Sequence, residues 1–284
     1  MGCVVLGGAF IIGLLGIIAS PSLRDRVTQP ILRWGNLDQP AVWCMRSGVS
    51  PDLRISGCTT LIESGRVVGY AFYSRGDAYF NKGDYDRAIQ DFDQAIRLKP
   101  DNSKIFSIRG LAYERKGDHD RAIQDYDQAI RLKPDDSNTL SIRGEAYLNK
   151  GDIDRAIQDY NQVIQLNPDD AEGFNGRCWV RAVAAKALEA ALSDCNESLR
   201  IRPNSGPTLD SRGLVYFRMG QYDKAIADYD AALKEMPQSA GSLYVRGFAK
   251  RRKGDAAGGD ADIAAANELD PKVSDQYARL SVTP

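Results

Sequence analysis

The sequence has one histidine, His119, among its 284 residues. That scarcity weakens any chemistry that needs an imidazole base, a His–Cys pair or a histidine-rich metal site. An excess of either charge is also missing, with 37 basic side chains against 38 acidic ones. Nucleic acid usually requires a basic face, so no nucleic-acid partner is expected. The five cysteines include no C-x-x-C spacing, which argues against a zinc or redox site. No metal and no cofactor is implied. Carboxylates are plentiful, and whether they carry chemistry depends on where they stand.

Charge is absent altogether from residues 1–23, where VVLGGAFIIGLLGIIA is almost wholly apolar. About twenty such residues can span a bilayer. No Lys or Arg precedes the run, as one would in a secretory leader. Arg24, Arg26 and Arg33 follow it, which by the positive-inside rule would keep the rest of the chain cytoplasmic. Residues 1–23 are read as a signal peptide or an N-terminal membrane anchor, and 24–40 as a Pro-containing linker. Met1-Gly2 is no myristoylation signal, because Leu6 stands where Ser or Thr is needed.

What the chain has in abundance is repetition. AIQDFDQAIRLKP at 88–100 returns as AIQDYDQAIRLKP at 122–134 and, more loosely, as AIQDYNQVIQLNP at 156–168. Prolines fall at 100, 134, 168, 203, 237 and 271, at intervals of 34, 34, 35, 34 and 34. Between prolines, two apolar stripes at helical spacing flank a Gly-Asp turn, where Gly takes positive φ and Asp caps the next helix. Gly110, Ala122 and Ala129 are small enough to let two antiparallel helices approach closely. The Gly-x-Ala-Tyr of the first helix, the turn, the Ala-Ile and Tyr/Phe of the second and the closing Pro resemble the tetratricopeptide repeat family. The resemblance covers 67–271 as six units: 67–100, 101–134, 135–168, 169–203, 204–237 and 238–271. It implies an all-α, right-handed superhelical solenoid of antiparallel helix pairs, in which each pair buries the face its neighbour exposes. Residues 41–66 read as a degenerate half-repeat, and 272–284 as a capping helix and tail.

The repeat accounts for many charges and most cysteines. An Arg before each marker glycine has an Asp sixteen residues on, or seventeen in the fourth unit. These predict structural ion pairs Arg75–Asp91, Arg109–Asp125, Arg143–Asp159, Arg177–Asp194, Arg212–Asp228 and Arg246–Asp262. A carboxylate with a dedicated partner in every unit is a poor catalytic candidate. In the fourth unit Cys178 replaces the marker glycine and Cys195 the second-helix aromatic. Two facing positions changed together to the same residue type favour a disulfide over two independent buried thiols. The same logic pairs Cys44 with Cys58, and two bridges imply an oxidising compartment. That sets the cysteines against the arginines after the apolar run; exported (periplasmic or extracellular) or membrane-anchored are the locations expected.

The resemblance also implies that first helices line a concave groove. Its facing positions lie six and three before, and one and four after, the marker glycine. They yield Tyr70, Tyr73, Asp77, Phe80, Lys104, Leu111, Glu114, Glu145, Trp179, Asp210, Phe217, Tyr244, Phe248 and Arg251 as candidate peptide-groove residues. Aromatics at both ends are candidate anchors for a peptide. Tyr73, Asp77, Ile108, Asn138 and Ile142 stand where the family's carboxylate-clamp members carry Lys and Asn, so that specialised function is not expected. KRRK at 250–253 reads as an acidic-partner site or a solvated face, and His119 as a turn spacer. The expected function is a non-enzymatic scaffold binding a protein or peptide in the groove. A membrane-tethered assembly factor is the alternative, and an enzyme with thiol or carboxylate chemistry a distant one.

Overall fold

The structure is a computed structural model that describes residues 39–279. The apolar run, Cys3 and most of the linker lie outside the described residues. Fifteen helices follow one another: α1 (Gln39–Met45), α2 (Pro51–Glu63), α3 (Val68–Asn81), α4 (Tyr85–Leu98), α5 (Ser103–Arg115), α6 (His119–Leu132), α7 (Ser137–Asn149), α8 (Ile153–Leu166), α9 (Ala171–Val183), α10 (Leu188–Ile201), α11 (Gly206–Arg218), α12 (Tyr222–Glu235), α13 (Ala240–Arg252), α14 (Ala256–Leu269) and α15 (Val273–Arg279). Each odd-numbered helix from α1 to α13 packs antiparallel on the next, and each pair packs on the pair after it. Among the described residues there is no strand.

Local chemistry sets the helix ends. Gly83, Gly117 and Gly151 adopt φ of 77°, 77° and 80°, a left-handed conformation that suits glycine. The aspartate after each caps the next helix: Asp84, Asp118 and Asp152 accept from the backbone N–H of Arg87, Arg121 and Arg155 at 3.1, 3.1 and 3.2 Å. Within a pair, the marker glycine gives the second-helix aromatic its seat. A Cβ on Gly110 would lie 2.6 Å from the Tyr126 ring, so only glycine lets that ring press against α5. Ala88, Ala122, Ala156 and Ala225 are fully buried and keep the paired helices close.

The ring-against-glycine contact changes in α9–α10. Cys178 and Cys195 occupy the two positions, with their sulfurs 2.03 Å apart. A covalent bond stands where α3–α4, α5–α6, α7–α8 and α11–α12 have ring packing. Cys44 of α1 and Cys58 of α2 are bonded likewise, at 2.09 Å.

Arginines join the pairs in two directions. Arg109 donates through Nε and Nη2 to Asp125 of its own pair at 2.8 and 2.6 Å, and through Nη1 to Asp93 of the pair before at 2.5 Å. Arg143 likewise holds Asp159 and reaches back to Asp127, and Arg246 holds Asp262 and reaches back to Asp230. Arg75, Arg177 and Arg212 hold Asp91, Asp194 and Asp228, and their Nη1 groups reach back to Thr59, Asn161 and Asn196. The backward half of this ladder was not foreseen from the sequence. Burial pushes the Asp125 and Asp159 carboxyls above the usual carboxylate range, and the arginines only partly restore them. The pairs thus fix geometry more than they add net stability. A second, exposed ladder joins Lys82 to Asp52, Lys116 to Asp86, Lys150 to Asp120 and Lys253 to Asp223, each link worth about 0–1 kcal/mol.

At the end of the array, α15 buries Val273 and Tyr277. The Tyr277 ring lies 5.6 Å from that of Tyr244, and its hydroxyl sits where a Cβ on Gly241 would be.

Two measurements test this account. Asp125→Ala should cost about 1.5–3 kcal/mol in chemical unfolding, because it leaves Nε and Nη2 of Arg109 without their acceptor while Asp93 keeps Nη1. Arg109→Met combined with Asp125→Leu should cost clearly less than that single change, and equal losses would refute a geometric role. Alkylation of the native, unreduced protein should leave Cys44, Cys58, Cys178 and Cys195 unmodified, while Cys178→Ser/Cys195→Ser should lower stability by about 3 kcal/mol. Labelling of Cys178 or Cys195 would instead mean free, reactive thiols.

Candidate functional site

The candidate groove residues lie on the first helices, α3 to α13, and fall into three stretches. At the start, Tyr70 is 42% exposed and its ring lies 6.4 Å from that of the half-buried Tyr73. Lys104 of α5 places its ammonium 5.8 Å from the Tyr73 ring centre, within reach of a cation–π attraction. Two neighbours in this stretch are engaged elsewhere. Asp77 is paired with Arg54 of α2 at 3.1 Å, and Phe80 packs edge-on against Tyr85 at 5.5 Å.

In the middle, Leu111 is half-buried against the core, and Trp179 leans on the cluster around the second disulfide. Glu114 of α5 is held at one oxygen: Asn149 Nδ2 donates to Oε1 at 2.8 Å, and His119 Nδ1 lies 2.8 Å from the same atom. His119 is therefore more than the turn spacer its sequence position suggested. Glu145 of α7 stands exposed on the same stretch. The groove walls raise its carboxyl by limiting hydration, and the Glu114 charge raises it further.

The last stretch departs from expectation. Tyr244 and Phe248 are buried, at 6% and 2% exposure, stacked edge-on at 4.6 Å beneath the terminal helix α15. They are core residues rather than open groove, because the last pair has no successor and α15 covers the face that a seventh pair would take. Phe217 packs on Tyr222 at 5.8 Å. Arg251 leans across Gly259 toward Asp260, 3.5 Å away. Its KRRK neighbours Lys250 and Lys253 are consumed by Asp262 and Asp223. Asp262, which burial alone would raise, falls below the usual range between Arg246 and Lys250. Asp210 of α11 accepts from the Ser242 hydroxyl of α13.

No catalytic constellation emerges from these contacts. Among the described residues no group of three or more His, Cys, Asp or Glu is placed to hold a metal, and no helix is long and apolar enough to cross a membrane. A surface depression of about 690 Å³ at α9–α10 is lined by charges, but its Arg177 is held by Asp194 and its Arg200 by Glu197. Sequence reasoning missed Asn149, Ser242 and the Tyr126 hydroxyl. The only available signal was the change from Phe92 to Tyr126, Tyr160 and Tyr229 at one repeat position.

Comparisons with known proteins agree on the architecture. Two family models described as tetratricopeptide repeat match residues 73–137, and 137–170 with 211–239. A tetratricopeptide repeat protein from Parabacteroides merdae superposes with a TM-score of 0.70 at 16% identity, covering 92% of this chain and 98% of that one. PilW, a type IV pilus biogenesis factor, gives 0.64 at 16% identity, with 76% and 99% covered. Pseudomonas aeruginosa pilF gives 0.59 at 17%, with 74% and 97% covered. At such identities the likeness is one of fold. Comparison with curated proteins found no match.

Asp210 has a measurable consequence for stability. Burial pushes its carboxyl up to about 6, against the opposing Ser242 hydrogen bond. An acid whose pKa is raised on folding favours the folded state while protonated, and that contribution is lost as pH rises from about 4 through 6. Asp210→Asn should therefore stabilise the protein by roughly 2 kcal/mol at pH 8, with the gain fading as pH falls from about 6 to about 4. Thermal melts of both proteins across pH 3–8 would show it, and a gain independent of pH would exclude a titrating Asp210.

Proposed function

We propose, from the premise that this chain is a tetratricopeptide repeat protein, that it is a non-enzymatic scaffold holding a protein or peptide along the groove of its first helices. Repeats of this kind generally serve as protein-interaction scaffolds and are typically not enzymes. The observation that carries the reading is the uncovered aromatic stretch at the start of the array. Tyr70 stands open beside Tyr73, with Lys104 across from it, while nearly every other large ring is packed away. An aromatic surface of this kind anchors peptides through a few contacts that carry most of the binding energy. The carboxylates do not support a competing catalytic reading, because the ladder uses one buried aspartate in every repeat.

The two disulfides support an exported or extracytoplasmic setting. In that setting residues 1–23 act either as a removed signal peptide or as a retained anchor. Intact mass of the protein from its native cells separates these outcomes.

Photo-crosslinking tests the groove directly. A photoreactive residue at position 104 should capture partner, whereas one at Gln158, exposed on the second helix α8, should not. Tyr70→Ala with Tyr73→Ala should weaken the captured complex at least about ten-fold. Capture from position 158 alone would move the binding face to the second helices.

A further inference from the structure

The middle of the array holds polar atoms that the fold leaves unanswered. Glu114 Oε1 is fixed by Asn149 and His119 at 2.8 Å each, while Oε2 of the same carboxylate is buried without a hydrogen-bond partner in the protein. Tyr126, whose side chain is fully buried, has an equally unpartnered hydroxyl. Among the charges around that phenol, the Glu114 and Glu145 carboxylates act on it most strongly, after burial itself. The Tyr126 ring packs against Gly110, one helical turn before Glu114 on α5, and Glu145 follows Gly144, the marker glycine of the next pair. On α9, the next first helix along, Asn175 Oδ1 is a further buried acceptor with no partner. Arg115 is the cation whose field reaches Glu145 and Tyr126, and the Glu145 carboxyl stays raised in spite of it.

These groups share one deficit. A buried acceptor left unpaired costs about 1–3 kcal/mol, and two neighbouring carboxylates repel. The buried aspartates of the ladder each have an arginine, and Asp210 has the Ser242 hydroxyl. What would relieve all of it is a donor with positive charge. Glu114 is already oriented by its neighbours, so little ordering is required when such a donor arrives.

We propose that Glu114, Glu145 and the Tyr126 hydroxyl form a receptor for one basic side chain, a lysine or arginine, of the peptide bound in the groove. The proposal rests on the groove reading above and names a chemical requirement of the partner. It also gives that partner polarity: aromatic contacts at Tyr70 and Tyr73, and a cation one to two repeats further on.

A randomised twelve-residue peptide library displayed on phage tests it, selected against the full-length protein in wild-type form and as Glu114→Gln/Glu145→Gln. Wild type should enrich peptides with Lys or Arg at one fixed position, and the variant should lose that enrichment while still selecting other features. A synthetic wild-type-selected peptide should bind the variant about ten- to a hundred-fold more weakly. Its Lys/Arg→Gln analogue should bind both proteins alike. Circular dichroism confirms that the variant is folded, and Tyr126→Phe provides a second, milder change that should weaken the same peptide only when its basic residue is present. Selection of peptides with no basic preference would overturn the receptor and leave the groove reading standing. Failure to select any peptide with wild type would overturn both.

Discussion

The array depends on a guanidinium that bonds in two directions. Three nitrogens of one rigid plane meet two different helices: Nε and Nη2 grip an aspartate on the helix paired with their own, and Nη1 reaches the pair before. A lysine could satisfy one of these directions but not both. Because the fork is planar, it fixes the tilt within a pair and the step between pairs at once. The burial that raises Asp125 and Asp159 shows that this rigidity is gained against a desolvation cost. Apolar packing supplies the stability, and the arginines select one arrangement among those that packing would allow.

Much of this was legible in the sequence because it recurs with constant identity. The forward partners are always aspartate, at an offset of sixteen that shifts only to seventeen in the fourth unit, and the glycine contact is against a ring in four pairs. The cysteines betrayed themselves by replacing both members of that contact together. The backward partners escaped notice because their identity drifts: Thr59, Asp93, Asp127, Asn161, Asn196 and Asp230 share only an oxygen that can accept. Tyr244 and Phe248 were misplaced for a different reason. Positions that face the groove in an interior repeat become core where α15 lies over them, and a periodic rule carries no information about where the period ends.

The same division separates structure from recognition. Carboxylates that repeat are matched by cations that repeat, and they vanish into the scaffold. Glu114, Glu145 and Asp210 belong to no such series. They stand on first helices, in settings that resist ionisation or leave an oxygen unanswered. Individuality on this chain therefore sits where the repeat is broken on the first helices, while the edge formed by the Gly-Asp turns is given over to the lysine–aspartate links between successive pairs.

Both disulfides close inside a single helix pair, over 14 and 17 residues, and neither ties distant pairs together. Four cysteines can be joined in three ways, yet a chain delivered N-terminus first meets them in an order that removes the ambiguity. Cys58 follows Cys44 closely, and both are present long before Cys178 emerges. The first bond can be sealed while the later pair is still unmade, and Cys195 then arrives with a single reduced thiol left among the four for it to meet. Bonds between sequential neighbours are the ones that an N-to-C order of emergence favours.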